Sequence, residues 1–315
     1  MTQTATIRSV GVVGAGLIGI SWATIFVLSG RDVSIFDANP DQRKTALDRL
    51  QTNIALLREN GLVDEAIALG NAHVCGSLED AVTGVDYVQE SVLETVEVKS
   101  AVSQEIDRAI ASETLVGSSS SGIPASAFTK DLVNRERFFI VHPVNPPHLI
   151  PVVEIVPAPW SEGDHIPTIR KFMSDIGQEP MVVEKEIEGF VLNRLQGALL
   201  NEAWALYSEG YASADDIDRT VRAGLGLRWS LMGPFETIDL NAPGGIADYA
   251  ERLEPMYHSV AVSRRNPQHW PGSAILKAKT EIEERFSGQL RTERETRRDE
   301  WLLSLKRAKQ GQKTG

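Results

Sequence analysis

The chain has 315 residues, 32 Lys+Arg against 43 Asp+Glu, and 42% of it is hydrophobic. That length suits two domains, and an apolar fraction near the globular norm excludes a disordered chain, a collagen-like repeat and a disulfide-stapled miniprotein. The net charge of −11 leaves no basic footprint for nucleic acid or an anionic membrane, while a lone Cys75 suits the reducing cytoplasm.

The first elements lie in a stretch that imitates a membrane segment. Twenty-two uncharged residues separate Arg8 from Arg31, enough in principle to cross a bilayer and placed where a secretory signal would be. Gly11, Gly14, Gly16 and Gly19 argue against both. Residues 7–13 are rich in β-branched side chains and predict a short buried strand. Gly14-Ala15-Gly16-Leu17-Ile18-Gly19 follows at once. An apolar run from Ile20 to Leu28 then predicts a helix, and Asp32 to Phe36 a second strand closing on Asp37.

Strand, glycine turn, helix, strand and acid in that order form a dinucleotide-binding unit. Gly14 permits the tight turn, Gly16 lets a pyrophosphate approach the backbone beside Leu17 and Ile18, and Gly19 lets the helix pack closely. The helix N-terminus offers free N–H groups to the phosphates. Asp37 accepts hydrogen bonds from the ribose hydroxyls and repels a 2′-phosphate. Ala38, Asn39 and Pro40 follow it and supply no cation. NAD is therefore the expected cofactor, and no metal site is read.

Residues 40–60 carry apolar positions at helical spacing, residues 86–89 read as a strand and 94–111 as a helix. Leu115–Gly117 is a brief strand before Ser118-Ser119-Ser120-Ser121. Four serines suit a flexible linker, yet they stand at the C-terminal end of a strand, where ligands lie in open α/β sheets. Phe138–Val141 leads to His142, Val152–Ile155 follows a Pro-rich turn, and Val182-Val183 reads as the last strand. From Gly189 onward helical patterns take over, with a capping box at Ser213–Asp216. Residues 291–315 hold eight basic and four acidic side chains, read as the solvated face of a helix. The expected fold class is α/β, a Rossmann-type doubly wound, mainly parallel sheet in residues 1–188 with a smaller all-α domain in 189–315.

His142 stands at a strand end, with Glu154 twelve positions on and the turn-forming Asn145-Pro146-Pro147 between them. Imidazole is a natural base near neutral pH, and a carboxylate on its second nitrogen fixes the tautomer. A buried histidine serving a backbone group is the competing reading. Arg228, in the Gly-rich stretch Gly224–Trp229, has the fork geometry that holds a carboxylate; packing on Trp229 is its bland alternative.

Three segments together resemble the 3-hydroxyacyl-CoA dehydrogenase family along nearly the whole chain. They are the nucleotide unit with Glu90, Glu94 and Lys99; His142-Pro143-Val144-Asn145-Pro146-Pro147 with Glu154; and Gly189-Phe190-Val191-Leu192-Asn193-Arg194. The resemblance implies that His142 and Glu154 are catalytic and that Ser121 and Asn193 lie near the reacting oxygen. It implies Glu94, Lys99 and Asn145 as cofactor contacts and a homodimer formed through the helical half. Taken from the residues alone, Glu94 and Lys99 also suit a solvated helix face, and Ser121 and Asn193 mere turn formers.

The chain departs from the CoA-using members in residues 51–70, where Arg58 is the only basic residue and Asp64 and Glu65 are acidic. An ADP 3′-phosphate finds little there to neutralise it. The resemblance, with this departure, implies a small free L-3-hydroxy acid as substrate, oxidised to the 3-keto acid, with L-gulonate ahead of a short 3-hydroxyacyl-CoA or L-carnitine. A structural protein that binds NAD without turning over is the alternative of a different class.

Overall fold

A computed structural model describes residues 7–63, 71–161, 163–264 and 269–313. Asp64 and Glu65 lie outside the described residues. The chain begins with β1 (Ser9–Val13), α1 (Leu17–Leu28), β2 (Asp32–Phe36), α2 (Pro40–Glu59), β3 (Ala72–Val74), α3 (Leu78–Val82) and β4 (Tyr87–Glu90). It continues through α4 (Val96–Ala109), β5 (Leu115–Ser118), α5 (Ser126–Thr129), β6 (Phe138–Pro143), β7 (Val152–Val156), α6 (His165–Asp175) and β8 (Glu179–Val182). The eight strands form one sheet in the order β3-β2-β1-β4-β5-β6-β7-β8. Every neighbouring pair is parallel except β6 and β7. The doubly wound expectation holds.

Alternation along the strands divides the apolar side chains between two faces. Val10, Val12, Ile35 and Val141 pack with α1, α2 and α6, while Val13, Val88 and Val116 pack with α3 and α4. Helix α1 is buried without interruption from Gly19 to Val27. Phe26 stacks between Trp22 and Phe172, with ring centroids 5.6 and 5.8 Å apart. Burial on every side explains the uncharged N-terminal stretch, since a helix with no wet face needs no polar residue. No helix among the described residues is long and apolar enough to cross a membrane.

Contacts within the structure draw a division other than the expected 1–188 and 189–315. Contacts separate the chain into Met1–Arg194 with Arg291–Gly315, and Leu195–Leu290. The boundary falls inside α7 (Leu192–Ser208) rather than before Gly189. The last helix, α13 (Arg291–Lys313), belongs to the first unit instead of the helical one. Apolar contacts are the reason: Leu303 is fully buried and packs with Leu57 of α2 and Leu149. The charged residues of α13 thus occupy one side of a docked helix.

The second unit holds α8 (Ala214–Thr220), α9 (Gly226–Trp229), α10 (Pro234–Leu240), α11 (Gly245–Ser263) and α12 (Gly272–Arg285). The Ser213 hydroxyl caps α8 by accepting from Asp216 N at 3.1 Å, as its capping pattern predicts. Of the Gly-rich stretch, Gly224 sits in a π-helical turn (Val221–Leu225) and Gly226 opens α9 directly after it. A Cβ on Gly226 would lie 3.0 Å from the Val221 carbonyl oxygen, so glycine tolerates the wider backbone coil.

Candidate active site

The glycine turn joins β1 to α1. Gly14 has φ +101°, a region glycine enters without strain, and a Cβ there would meet the Ser91 carbonyl oxygen at 2.5 Å. A Cβ on Gly19 would lie 1.7 Å from the Gly14 oxygen, so the helix packs on its own turn only as glycine. Gly16 differs, since nothing stands within 4 Å of a Cβ there. It is also the N-cap of α1 and offers no side-chain cap. Open space over uncapped N–H groups fits a pyrophosphate. Asp37 closes the unit, its two carboxylate oxygens accepting from Ala15 N at 2.7 Å and Asn39 N at 2.8 Å. From α2, the Arg49 guanidinium donates to the carbonyl oxygens of Ala15 and Gly16, bracing the same turn.

The serine run is no flexible linker. Ser118 donates to the Glu90 carboxylate at 2.5 Å, and the Ser119 hydroxyl meets the Gln89 amide at 2.8 Å, the Trp22 indole at 3.2 Å and Ser91 at 2.8 Å. Ser120 donates to Glu94 at 2.7 Å, and the backbone N–H of Ser121 to the same oxygen at 2.8 Å. Lys99 is fully buried, its ammonium 3.1 Å from Glu90 and 3.4 Å from Glu94. That contradicts a solvated helix face for Lys99. Burial works against charge on Glu94, but the Ser120 hydroxyl, the Lys99 ammonium and two backbone N–H groups together hold its carboxyl below the usual range. Glu90 went unassigned in the sequence, although a strand-end acid nine positions before a lysine is a readable signal.

His142 and Glu154 face one another across the antiparallel β6–β7 ladder as directly opposed residues. The His142 Nδ1 lies 2.7 Å from a Glu154 oxygen, with both side chains buried. The second Glu154 oxygen accepts from the backbone N–H groups of Val191 at 2.9 Å and Leu192 at 2.8 Å. Gly189 (φ +72°) and Phe190 (φ +49°) turn the chain so that those N–H groups point at Glu154 as α7 begins. The Phe190 ring packs against the imidazole, centroids 5.7 Å apart. Burial opposes charge on Glu154, yet the His142 contact and the two N–H groups outweigh it and keep the carboxyl low. The His142 Nε2 makes no hydrogen bond among the described residues.

Asn193, on the first turn of α7, donates from its amide to the Ser121 carbonyl oxygen. Ser121 is joined in turn to Glu94, and Leu192 to Glu154, so Ser121, Asn193, Glu94, Glu154 and His142 form one bonded chain. Asn145 is exposed in the loop after β6. Arg228 lies in the other unit, exposed on α9, and makes no ring contact with Trp229 among the described residues. The sequence reading also passed over His148, buried in the loop between β6 and β7.

Comparison with known proteins identifies the family. Residues 9–187 match the 3-hydroxyacyl-CoA dehydrogenase NAD-binding domain, and residues 189–271 match the C-terminal domain of the same family. The chain is 38% identical over 247 residues to the human (Homo sapiens) lambda-crystallin homolog, covering 76% of each. It is 37% identical to an L-carnitine dehydrogenase of Oceanobacillus iheyensis, covering 78% of this chain and 80% of that one. Among solved structures it resembles 5-formyl-3-hydroxy-2-methylpyridine 4-carboxylic acid 5-dehydrogenase, an NAD+-dependent dismutase. The TM-score is 0.82 at 26% identity, over 97% of this chain and 99% of that one.

Proposed function

The chain belongs to the 3-hydroxyacyl-CoA dehydrogenase family, an NAD-dependent oxidoreductase, and from that premise we propose that it oxidises a free L-3-hydroxy acid to the 3-keto acid. L-gulonate is the substrate we favour. The buried His142–Glu154 pair carries the reading.

Oxidising a secondary alcohol removes a hydroxyl proton and a hydride from one carbinol. NAD, when bound, supplies the hydride acceptor. Gly14, Gly16, Leu17, Ile18, Gly19 and Asp37 hold the dinucleotide, and Glu94 and Asn145 touch its nicotinamide half. Lys99, being buried, acts through Glu94. His142 has its Nδ1 engaged by Glu154, so Nε2 is the nitrogen that takes the hydroxyl proton. Glu154, kept charged by Val191 and Leu192, stabilises the resulting imidazolium. Ser121 and Asn193 hydrogen-bond the alcohol oxygen. Arg228, which forms no ion pair among the described residues, is assigned the substrate carboxylate. A free acid is preferred over a CoA thioester because residues 51–63 offer Arg58 as their only cation.

The same reading makes the enzyme a cytoplasmic homodimer. Of the described residues in 195–290, only Tyr207, Thr237 and Ala274 are buried. Leu227, Leu231, Phe235, Leu240 and Leu276 are each about two-thirds exposed or more, apolar surface that a second subunit would cover. A second substrate, L-carnitine, is favoured by the carnitine dehydrogenase relative.

The test is NADH formation across L-gulonate, L-3-hydroxybutyrate, L-carnitine and 3-hydroxybutyryl-CoA. L-gulonate is expected to give the highest kcat/KM, and His142→Gln to lower kcat by ~10²–10⁴ with NAD affinity retained. Binding of NAD with no turnover on any of the four would favour the structural-protein alternative. Full activity in His142→Gln would remove the histidine from its role.

A further inference from the structure

The hairpin that carries His142 and Glu154 is anchored at a residue the proposed chemistry leaves unused. His148 sits in the β6–β7 loop, six residues after His142 and six before Glu154. Its Nδ1 lies 3.0 Å from the Ser21 hydroxyl, on the second turn of α1. Its backbone carbonyl accepts a hydrogen bond from Lys306 Nζ at 2.8 Å, on α13. The next residue, Leu149, packs with Leu57 of α2 and Leu303 of α13. One loop is thus held by the helix whose N-terminus forms the glycine turn and by a helix that rejoins this unit after an excursion of nearly one hundred residues.

We propose that His148 and Lys306 are positioning residues, which register the His142 hairpin on α1 so that the proton acceptor and the glycine turn keep one spacing. The proposal rests on the dehydrogenase reading given above for His142. Lys306 is partly buried, and the His148 carbonyl is its one hydrogen-bond partner among the described residues. Among the described residues no carboxylate lies within 4 Å of that ammonium, so no salt bridge between them accounts for its place beside the loop. Loop backbone is what it holds. Burial, followed by the charges of Lys306 and Arg298, lowers His148 to about 4. The ring is therefore neutral around pH 7 and serves as a hydrogen-bonding link rather than as an acid or base. Misplacing a catalytic group by about 1 Å costs up to ~10²-fold in rate, so a link of this kind is read in kcat.

The experiment compares full-length Lys306→Met and Lys306→Arg with the parent at saturating NAD and substrate. Lys306→Met is expected to lower kcat by ~10-fold, an intermediate loss on that scale, with KM for NAD unchanged. Lys306→Arg, which can still donate to the carbonyl, is expected to restore most of it. Imidazole 15N resonances of His142, recorded without substrate, are expected to shift in Lys306→Met and return in Lys306→Arg. The resonances test the link even if no hydroxy acid is turned over, so its failure and that of the dehydrogenase reading are told apart. A Lys306→Met protein with a lower Tm but parental kcat and parental His142 resonances would overturn the proposal, as would a kcat loss that arginine does not relieve.

Discussion

Glu154 divides its two oxygens between the His142 ring and the backbone N–H groups that open α7. A carboxylate so held stays charged and in place, which is what an imidazolium forming beside it requires. The pairing was legible in the residues, because His and Glu flank a Pro-rich turn at a spacing that a hairpin brings opposite. The support was not. Lys99 reads as a surface lysine on a helix and is buried against Glu90 and Glu94, and His148 reads as one more loop residue. Its buried ring has a thermodynamic consequence. The ordinary value of 6.5 falls to about 4, first through burial and then through Lys306 and Arg298. Between those pH values the unfolded chain binds a proton that the folded chain refuses, so stability falls as the pH drops. From pH 7 to pH 5 the loss is about 2 kcal/mol, within a window that lies above the titration of Glu94 and Glu154. Urea unfolding at both pH values should show this loss in the parent and a smaller one in His148→Gln; equal losses would exclude the assignment.

At the scale of elements, the glycine turn makes two glycines of one motif opposite in kind. Gly19 is glycine because the Gly14 oxygen occupies the place of its Cβ, whereas Gly16 faces open space. Gly19→Ala is expected to destabilise the protein by ~3 kcal/mol or more, the upper range for overpacking. Gly16→Ala should leave Tm unchanged while weakening NAD binding by ~10-fold, equivalent to about 1.4 kcal/mol of lost contact. Calorimetric unfolding and NAD titration separate the two, and unaltered NAD affinity in Gly16→Ala would remove that residue from the cradle. Strands β1, β2 and β4 and helices α2 and α4 were readable from β-branched runs and helical spacing. Strand β3 was not, since Ala72–Val74 is too short to show a period. Helix α6 carried a usable signal that was passed over, the buried set Ile169, Phe172 and Met173 at helical spacing.

At the scale of the whole molecule, the described residues of 195–290 form helices with scarcely a buried core of their own. A unit that leaves Leu227, Leu231 and Phe235 exposed lacks the apolar burial that offsets chain entropy. Sedimentation at micromolar concentration should therefore report a dimer, with Tm rising as protein concentration rises; a monomer whose Tm ignores concentration would end that reading. The amino-acid sequence by itself determined the dinucleotide unit, NAD as the cofactor, the α/β class and the pairing of His142 with Glu154. Each of these rests on local spacing or on the identity of a side chain. Only the tertiary structure decided that Lys99 and His148 are buried, that α13 returns to the first unit, and that Arg49 braces the glycine turn. Those facts depend on contacts between residues far apart in the chain, and no local pattern encodes which distant surface a helix face will meet.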